Sequence, residues 1–266
     1  MDFTLRIYEK LITSLKENEY SILTFEEFLN SHQGKSAILR NDIDARIINS
    51  LTFAKILRNH NLKATFYFRV LPGLYSEKII KKIADLGHEI GYHYEDIELA
   101  YRLNKRKIRS VRSNPDEQLA DIAIDLFAKH LDQFRKIVPI KTICMHGSPT
   151  FRFDNRKLWE KYNYRDFGIL GEPYFDLDFN EVAYFSDTGR RWNGSKYSVR
   201  DKVNSNFTFS FSGTKELIKL IPSLPDNIML TFHPQRWNDD LLPWIGELVL
   251  QGIKNQIKRY LYTKNH

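Results

Sequence analysis

Five short apolar segments of this chain each run into an aspartate or a histidine, with helical stretches between several of them. Ser36-Ala37-Ile38-Leu39-Arg40 leads to Asp42 and Asp44, and Glu89-Ile90-Gly91-Tyr92 leads to His93. Thr142-Ile143-Cys144-Met145 leads to His146, the stretch from Glu181 to Ser186 to Asp187, and that from Asn227 to Phe232 to His233. Strands alternating with helices predict a mostly parallel sheet with helices outside it, as an open sheet or a barrel. In either architecture the exits of parallel strands lie along one rim, where active sites are built. The alternation therefore carries all five polar groups toward a common place.

The intervening segments support this reading. Ile47, Leu51, Ala54 and Leu57 recur at helical spacing. Ala64-Thr65-Phe66-Tyr67-Phe68 has the β-branched and aromatic residues that suit a pleated surface. Ile79, Ile80, Ile83 and Leu86 mark a second helix, and Gly87 sits where it would stop. Asn114-Pro115-Asp116-Glu117 opens a third, with an N-cap, a first-turn proline and a glutamate three residues on. Its apolar face includes Leu119, Ala123, Phe127, Leu131 and Phe134.

The 266 residues suit one large α/β domain or two small ones, and a 42% hydrophobic fraction is enough to build a substantial core. Forty basic residues against 33 acidic ones leave a charge of +7, which points toward an anionic partner such as a sugar nucleotide, a lipid-linked glycan or nucleic acid. The densest basic group, Lys105, Arg106, Lys107, Arg109 and Arg112, reads as one solvated loop. No compact basic–aromatic motif accompanies it, so nucleic acid is set aside. Cys144 is the only cysteine, which excludes an internal disulfide and a thiolate metal cluster. Between Ile143 and Met145 it reads as a small buried hydrophobe. The first residues lack a basic segment followed by a long apolar core, and no stretch approaches a membrane span, so a cytoplasmic location with no integral membrane segment is expected.

Carboxylates and neutral imidazoles are natural oxygen and nitrogen ligands for zinc and similar cations. Asp42 and Asp44 share one face if their strand continues and splay around one point if it turns. Taken alone, the pair also suits an Asx turn opening the next helix. Any one of the histidines suits a hydrogen-bonded core position, but three at equivalent strand exits read as a site, and imidazole is the side chain suited to proton transfer near neutrality.

Taken in order, these segments resemble the polysaccharide deacetylases of the carbohydrate-esterase, NodB-homology type. Asp42-Ile43-Asp44 precedes Ala64-Thr65-Phe66-Tyr67-Phe68 by about the twenty residues that separate the family's aspartate pair from its Ala-Thr-Phe-Phe strand. Gly87-His88-Glu89-Ile90-Gly91-Tyr92-His93 is similar to the family's Gly-His-Glu-Ile-Gly-Asn-His. Asp187-Thr188-Gly189-Arg190-Arg191-Trp192 resembles its Asp-x-x-Asp-Trp motif, and Leu230-Thr231-Phe232-His233 its closing motif. The resemblance covers about residues 36 to 235.

It implies a single-domain distorted (β/α)7 barrel over residues 1–266, with 1–35 as an N-terminal helical extension, 36–235 as the catalytic barrel and 236–266 as a C-terminal helix. It implies a divalent cation, zinc foremost, on Asp44 and His93, with Asp42 as general base and His233 as general acid. Asp187 joins the catalytic set, and Arg191, Trp192 and Trp237 are expected to contact the sugar.

Four departures mark a divergent branch, of the kind associated with surface-polysaccharide synthesis. Ile43 separates the aspartates that the family has adjacent, and the Asp187 motif has one extra residue, with Arg191 where its second aspartate would stand before Trp192. Ile97 stands where the family has its second metal histidine, so the third ligand comes from elsewhere: His146 first, Glu95 or Asp96 next. His146 also stands where the family has the arginine that orients the base, leaving Arg152, Arg190 or Arg191 to substitute. The implied reaction is removal of an acetyl group from an N-acetylated sugar, on a free sugar, a sugar nucleotide or a lipid-linked glycan, during assembly of an O-antigen or capsule-type polysaccharide. Its rivals are a related hydrolase of another C–N bond and a carbohydrate-binding protein without turnover.

Overall fold

Local capping starts the chain. The Thr4 hydroxyl accepts the Ile7 amide and opens α1 (Leu5–Glu17), and a reciprocal Thr24–Glu27 capping box opens α2 (Phe25–Asn30) after the short β1 (Ser21–Leu23). There follow β2 (Ser36–Ile43), α3 (Ile47–Asn59), β3 (Thr65–Phe68), α4 (Glu77–Asp85), β4 (Glu89–Tyr94), α5 (Asp96–Arg109) and α6 (Pro115–Arg135). The second half comprises β5 (Ile143–Met145), α7 (Leu158–Lys161), α8 (Pro173–Asp176), β6 (Val182–Ser186), α9 (Thr214–Leu220), β7 (Asn227–Phe232) and α10 (Leu241–Lys264). This computed structural model describes residues 1–109, 115–148, 153–192 and 203–264.

Every strand pairing among the described residues is parallel, in the order β5-β4-β3-β2-β7-β6, with β1 beside β2 ahead of β3. Because the last strand returns to lie beside β2, the chain order runs around an axis. The fold is a distorted (β/α)7 barrel. A single bridge from Thr142 to Gly171 extends the β5 edge toward β6. Its interior is packed and hydrogen-bonded across: the Tyr67 hydroxyl donates to Thr142 Oγ1 at 3.1 Å, and Arg40 Nη1 donates to the Tyr174 hydroxyl at 3.2 Å. Gly91 makes room for this filling, since a Cβ there would lie 2.2 Å from Tyr67 Cε1. Gly87, at φ 91°, supplies the left-handed turn that ends α4 and starts β4.

Two sequence expectations need correction. Residues 105–109 of the basic group belong to helix α5 and not to a loop; Arg112, like Asn114 of the expected N-cap, lies outside the described residues. Residues 1–35 are not purely helical either, because β1 joins the sheet. Nor does α1 stand apart from the barrel: Tyr8, Leu11, Ile12 and Leu15 are fully buried, with the Tyr8 ring 4.1 Å from that of Phe53 and 5.1 Å from that of Phe232. No described helix is long and apolar enough to cross a membrane.

Candidate active site

The strand exits meet at Asp44. β2 runs past Arg40 to Ile43, so Arg40, Asp42 and Asp44 alternate in sequence toward the rim. One Asp44 oxygen, Oδ1, lies 3.6 Å from His93 Nε2, 3.7 Å from His146 Nε2 and 3.9 Å from Arg69 Nη1. The other, Oδ2, lies 3.5 Å from His233 Nε2. Asp44 Oδ1 is buried without a hydrogen bond, a state that costs free energy unless something else satisfies it. Two ligands of a tetrahedral zinc ion, each about 2.0–2.2 Å from the metal, stand about 3.4 Å apart. The 3.6 and 3.7 Å edges from Asp44 Oδ1 to His93 and to His146 come near that spacing, but the three donor atoms do not all lie within 4.8 Å of one another.

The neighbouring groups fix how these side chains point. His93 Nδ1 lies 2.9 Å from the Cys144 carbonyl. A carbonyl only accepts, so Nδ1 carries the proton and the Nε2 lone pair faces Asp42 and Asp44. Burial pushes the His93 pKa down to about 4, against the pull of the two aspartates, which keeps the ring in its neutral, ligand-ready form. Asp42 is gripped by Arg40, whose Nε and Nη2 donate to Oδ1 and Oδ2 at 2.9 and 2.7 Å. Burial disfavours its charge, but Arg40 outweighs that and holds the Asp42 carboxyl below its ordinary value. The same balance, struck by the surrounding imidazoles and Arg69, keeps Asp44 ionised.

His233 is set by a second carboxylate. Its Nδ1 lies 2.6 Å from Asp187 Oδ1, so Nδ1 donates and Nε2 faces the site. Asp187 also accepts from the His233 amide at 2.9 Å, Arg236 Nη1 at 2.6 Å and Trp237 Nε1 at 2.7 Å. Burial opposes this charge too, yet the donors hold the Asp187 carboxyl low.

The structure thus brings together Asp42, Asp44, His93, His146, Asp187 and His233. Of the three residues expected to contact sugar, two are buried. Trp192 and Trp237 are only 3% and 1% exposed, packed against Phe232 and each other, so neither offers a ring face to a sugar. Trp192 Nε1 bonds Thr214 and Trp237 Nε1 bonds Asp187, so both brace the site from behind. Arg191 lies exposed beyond the turn that follows Asp187.

The alternatives also separate. Asp96 turns inward to the Tyr92 hydroxyl and to His130 Nδ1 at 2.7 Å. Glu95, Glu98 and His146 place donor atoms within 4.8 Å of one another. Glu95, however, accepts from Arg69 through both oxygens, at 2.8 and 2.6 Å, and Glu98 is paired with Arg102. Despite burial, His146 and Arg69 pull the Glu95 pKa down to about 2, and its Oε2 lies 3.2 Å from His146 Nδ1, which is buried without meeting hydrogen-bond geometry.

The arginine bonded to Asp42 is Arg40, not Arg152, Arg190 or Arg191. Arg152 lies outside the described residues, and Arg190 bonds the carbonyls of Arg236 and Trp244. Arg40 escaped the sequence reading, although the two-residue period of a strand places it on the face of Asp42. Arg69 and Arg236 escaped too, and no motif marks them.

No protein-family model and no curated protein sequence matches the chain. A solved structure of a CE4 family pseudoenzyme from Bacillus anthracis aligns over 94% of this chain and 77% of that one, at 12% identity and a TM-score of 0.36. A likeness of that degree carries no argument about function.

Proposed function

We propose that this protein is a divalent-metal-dependent hydrolase that removes the acetyl group from an N-acetylated sugar, in the assembly of a surface polysaccharide. The observation that carries the reading is the orphaned Asp44 Oδ1, ringed by His93 and His146 and set beside an arginine-clamped aspartate and an aspartate-backed histidine.

Asp44, His93 and His146 would hold the cation, for which zinc suits the donor set best. When bound, such an ion polarises the acetamide carbonyl and acidifies a water. The remaining work belongs to the chain's own groups. Asp42 accepts the water's proton, and Arg40 fixes the carboxylate in place while it does so. His233 delivers a proton from Nε2 to the departing amine, and Asp187 stabilises the imidazolium this requires. Asp42 lies by His93, and His233 lies by Asp44 Oδ2. One carboxylate and one imidazole are thus divided between two proton transfers around a common centre.

The test is acetate release from a panel of N-acetylated sugars and sugar nucleotides in the presence of zinc. Asp42→Asn and His233→Ala are expected to keep the metal and lose turnover by about 10²-fold or more each, the scale of positioned acid–base groups. Metal-loaded wild-type protein that binds glycans but releases no acetate from any of them would overturn the reading in favour of a binding protein.

A further inference from the structure

Helix α10 is inverted in polarity. Its protein-facing side is mostly polar: beside Trp244, whose ring lies under the Arg190 guanidinium, Glu247 and Gln251 are buried, Asn255 Nδ2 donates to the Gly189 carbonyl at 3.1 Å, and Arg46 lies 3.9 Å from Glu247. Its outward side is apolar: Leu241, Leu242, Ile245, Leu248, Val249 and Ile253 are all exposed, Leu242 to 83%. Steps of three and four residues align these side chains in one stripe. A surface helix of a globular protein has the reverse arrangement, and a contiguous exposed apolar stripe marks an interaction site.

We propose that this stripe docks onto an anionic phospholipid surface, with α10 lying in the plane of the headgroups. Charge supports the choice of partner. From residue 248 to the end of the helix the sequence has Lys254, Lys258, Arg259 and Lys264 and no acidic residue, within a chain of net charge +7. Apolar side chains combined with basic residues are the recognised pattern of an interfacial helix, and each attraction to anionic lipid adds to the other. A second copy of the chain is the weaker fit. Stable protein interfaces use about 20–30 residues a side, and one helical stripe supplies far fewer. Position gives the docking a purpose. α10 packs against the turns that follow β6 and β7, and Arg46, its partner through Glu247, stands two residues from Asp44. A membrane on this face lies beside the mouth of the site, so a substrate carried in the bilayer would arrive there. That corollary rests on the reaction proposed above; the docking itself does not.

Co-sedimentation with vesicles tests it. The full chain is expected to pellet with phosphatidylcholine vesicles containing phosphatidylglycerol and less with phosphatidylcholine alone. The pair Leu242→Glu and Val249→Glu is expected to lower that binding by about tenfold or more, since partition follows buried apolar area. Lys254→Glu is expected to lower binding to the anionic vesicles only. An unchanged thermal melt establishes that the variants fold, and turnover of a water-soluble substrate by these variants should equal wild type, which separates failure of docking from failure of the proposed reaction. Absence of wild-type binding to either vesicle would overturn the proposal. So would a concentration-dependent dimer that Leu242→Glu and Val249→Glu dissolve, which would assign the stripe to a second copy.

Discussion

Arg40 is one of the largest fully buried side chains among the described residues, and Asp42 is the one described carboxylate that forms an ion pair with it. Removing one partner of a buried pair leaves the other uncompensated, at a cost of about 3–5 kcal/mol. Arg40→Ala is therefore expected to destabilise the fold strongly, whereas Arg40→Ala combined with Asp42→Asn recovers part of the loss; urea unfolding of both variants measures this. Asp44 and His93 behave differently if they hold the cation. Alanine at either is expected to strip stoichiometric zinc while leaving the circular dichroism spectrum intact, and metal retained in both variants would refute the ligand assignment. The sequence made Asp44, His93 and His233 legible because each ends an apolar strand. It made Trp192 and Trp237 look like sugar platforms because an aromatic beside a catalytic residue reads the same way whether its ring faces the cleft or the core. Only packing against Phe232 decides that.

Strands and helices were legible where periodicity was unbroken. β2, β3, β4 and β7 each fall within a few residues of the expected apolar runs, and α3, α4 and α6 on their apolar faces. β1 was not, because three residues without alternation carry no period, and its pairing with β2 is set by long-range contact. α5 was hidden by its charge, since a helix rich in Arg and Lys has the composition of a solvated loop. Sheet closure depends on features of the same kind. Gly91 on β4 admits the Tyr67 ring of β3 into the barrel, and Tyr67 is itself anchored on Thr142 just before β5. Gly91→Ala is expected to cost about 1–3 kcal/mol, the usual range for overpacking a core. Gly91→Ala with Tyr67→Leu should restore part of that stability, because the ring that clashes is gone. Equal losses in the single and double variants, read from chemical unfolding, would show that the ring is not the obstacle.

Two buried groups, His93 on β4 and Glu172 at the N-cap of α8, set opposing responses of stability to pH. His93 has its pKa pushed down by burial to about 4, below the roughly 6.5 of an unfolded histidine. Between those values the unfolded chain binds the extra proton, so this group makes the fold more stable as pH rises from about 4 to 6.5. Glu172 is fully buried, accepts from the amides of Met145 and Tyr174, and has its pKa pushed up by burial to about 7. From its ordinary value near 4.5 up to about 7 the folded chain holds the proton, so this group makes the fold less stable as pH rises. Each swing amounts to about 3 kcal/mol, at about 1.4 kcal/mol per pKa unit. Over the shared interval they oppose each other, and the raised Glu89 and Asp96 carboxyls act in the direction of Glu172 while the lowered His88 acts in that of His93. Below that interval the ionised Asp42, Asp187 and Glu95, all held low by their partners, take protons and stability falls steeply. Glu172→Gln removes one of these slopes. Its overall stability should drop, because an amide presents one acceptor to two backbone donors, but the deficit against wild type should shrink by about 3 kcal/mol as pH rises from about 4.5 to 7. His93→Gln should do the reverse, losing ground against wild type as pH rises from about 4 to 6.5. Urea midpoints measured in chelator across this range give the differences directly. A Glu172→Gln profile parallel to wild type would mean that Glu172 is already ionised in the folded protein.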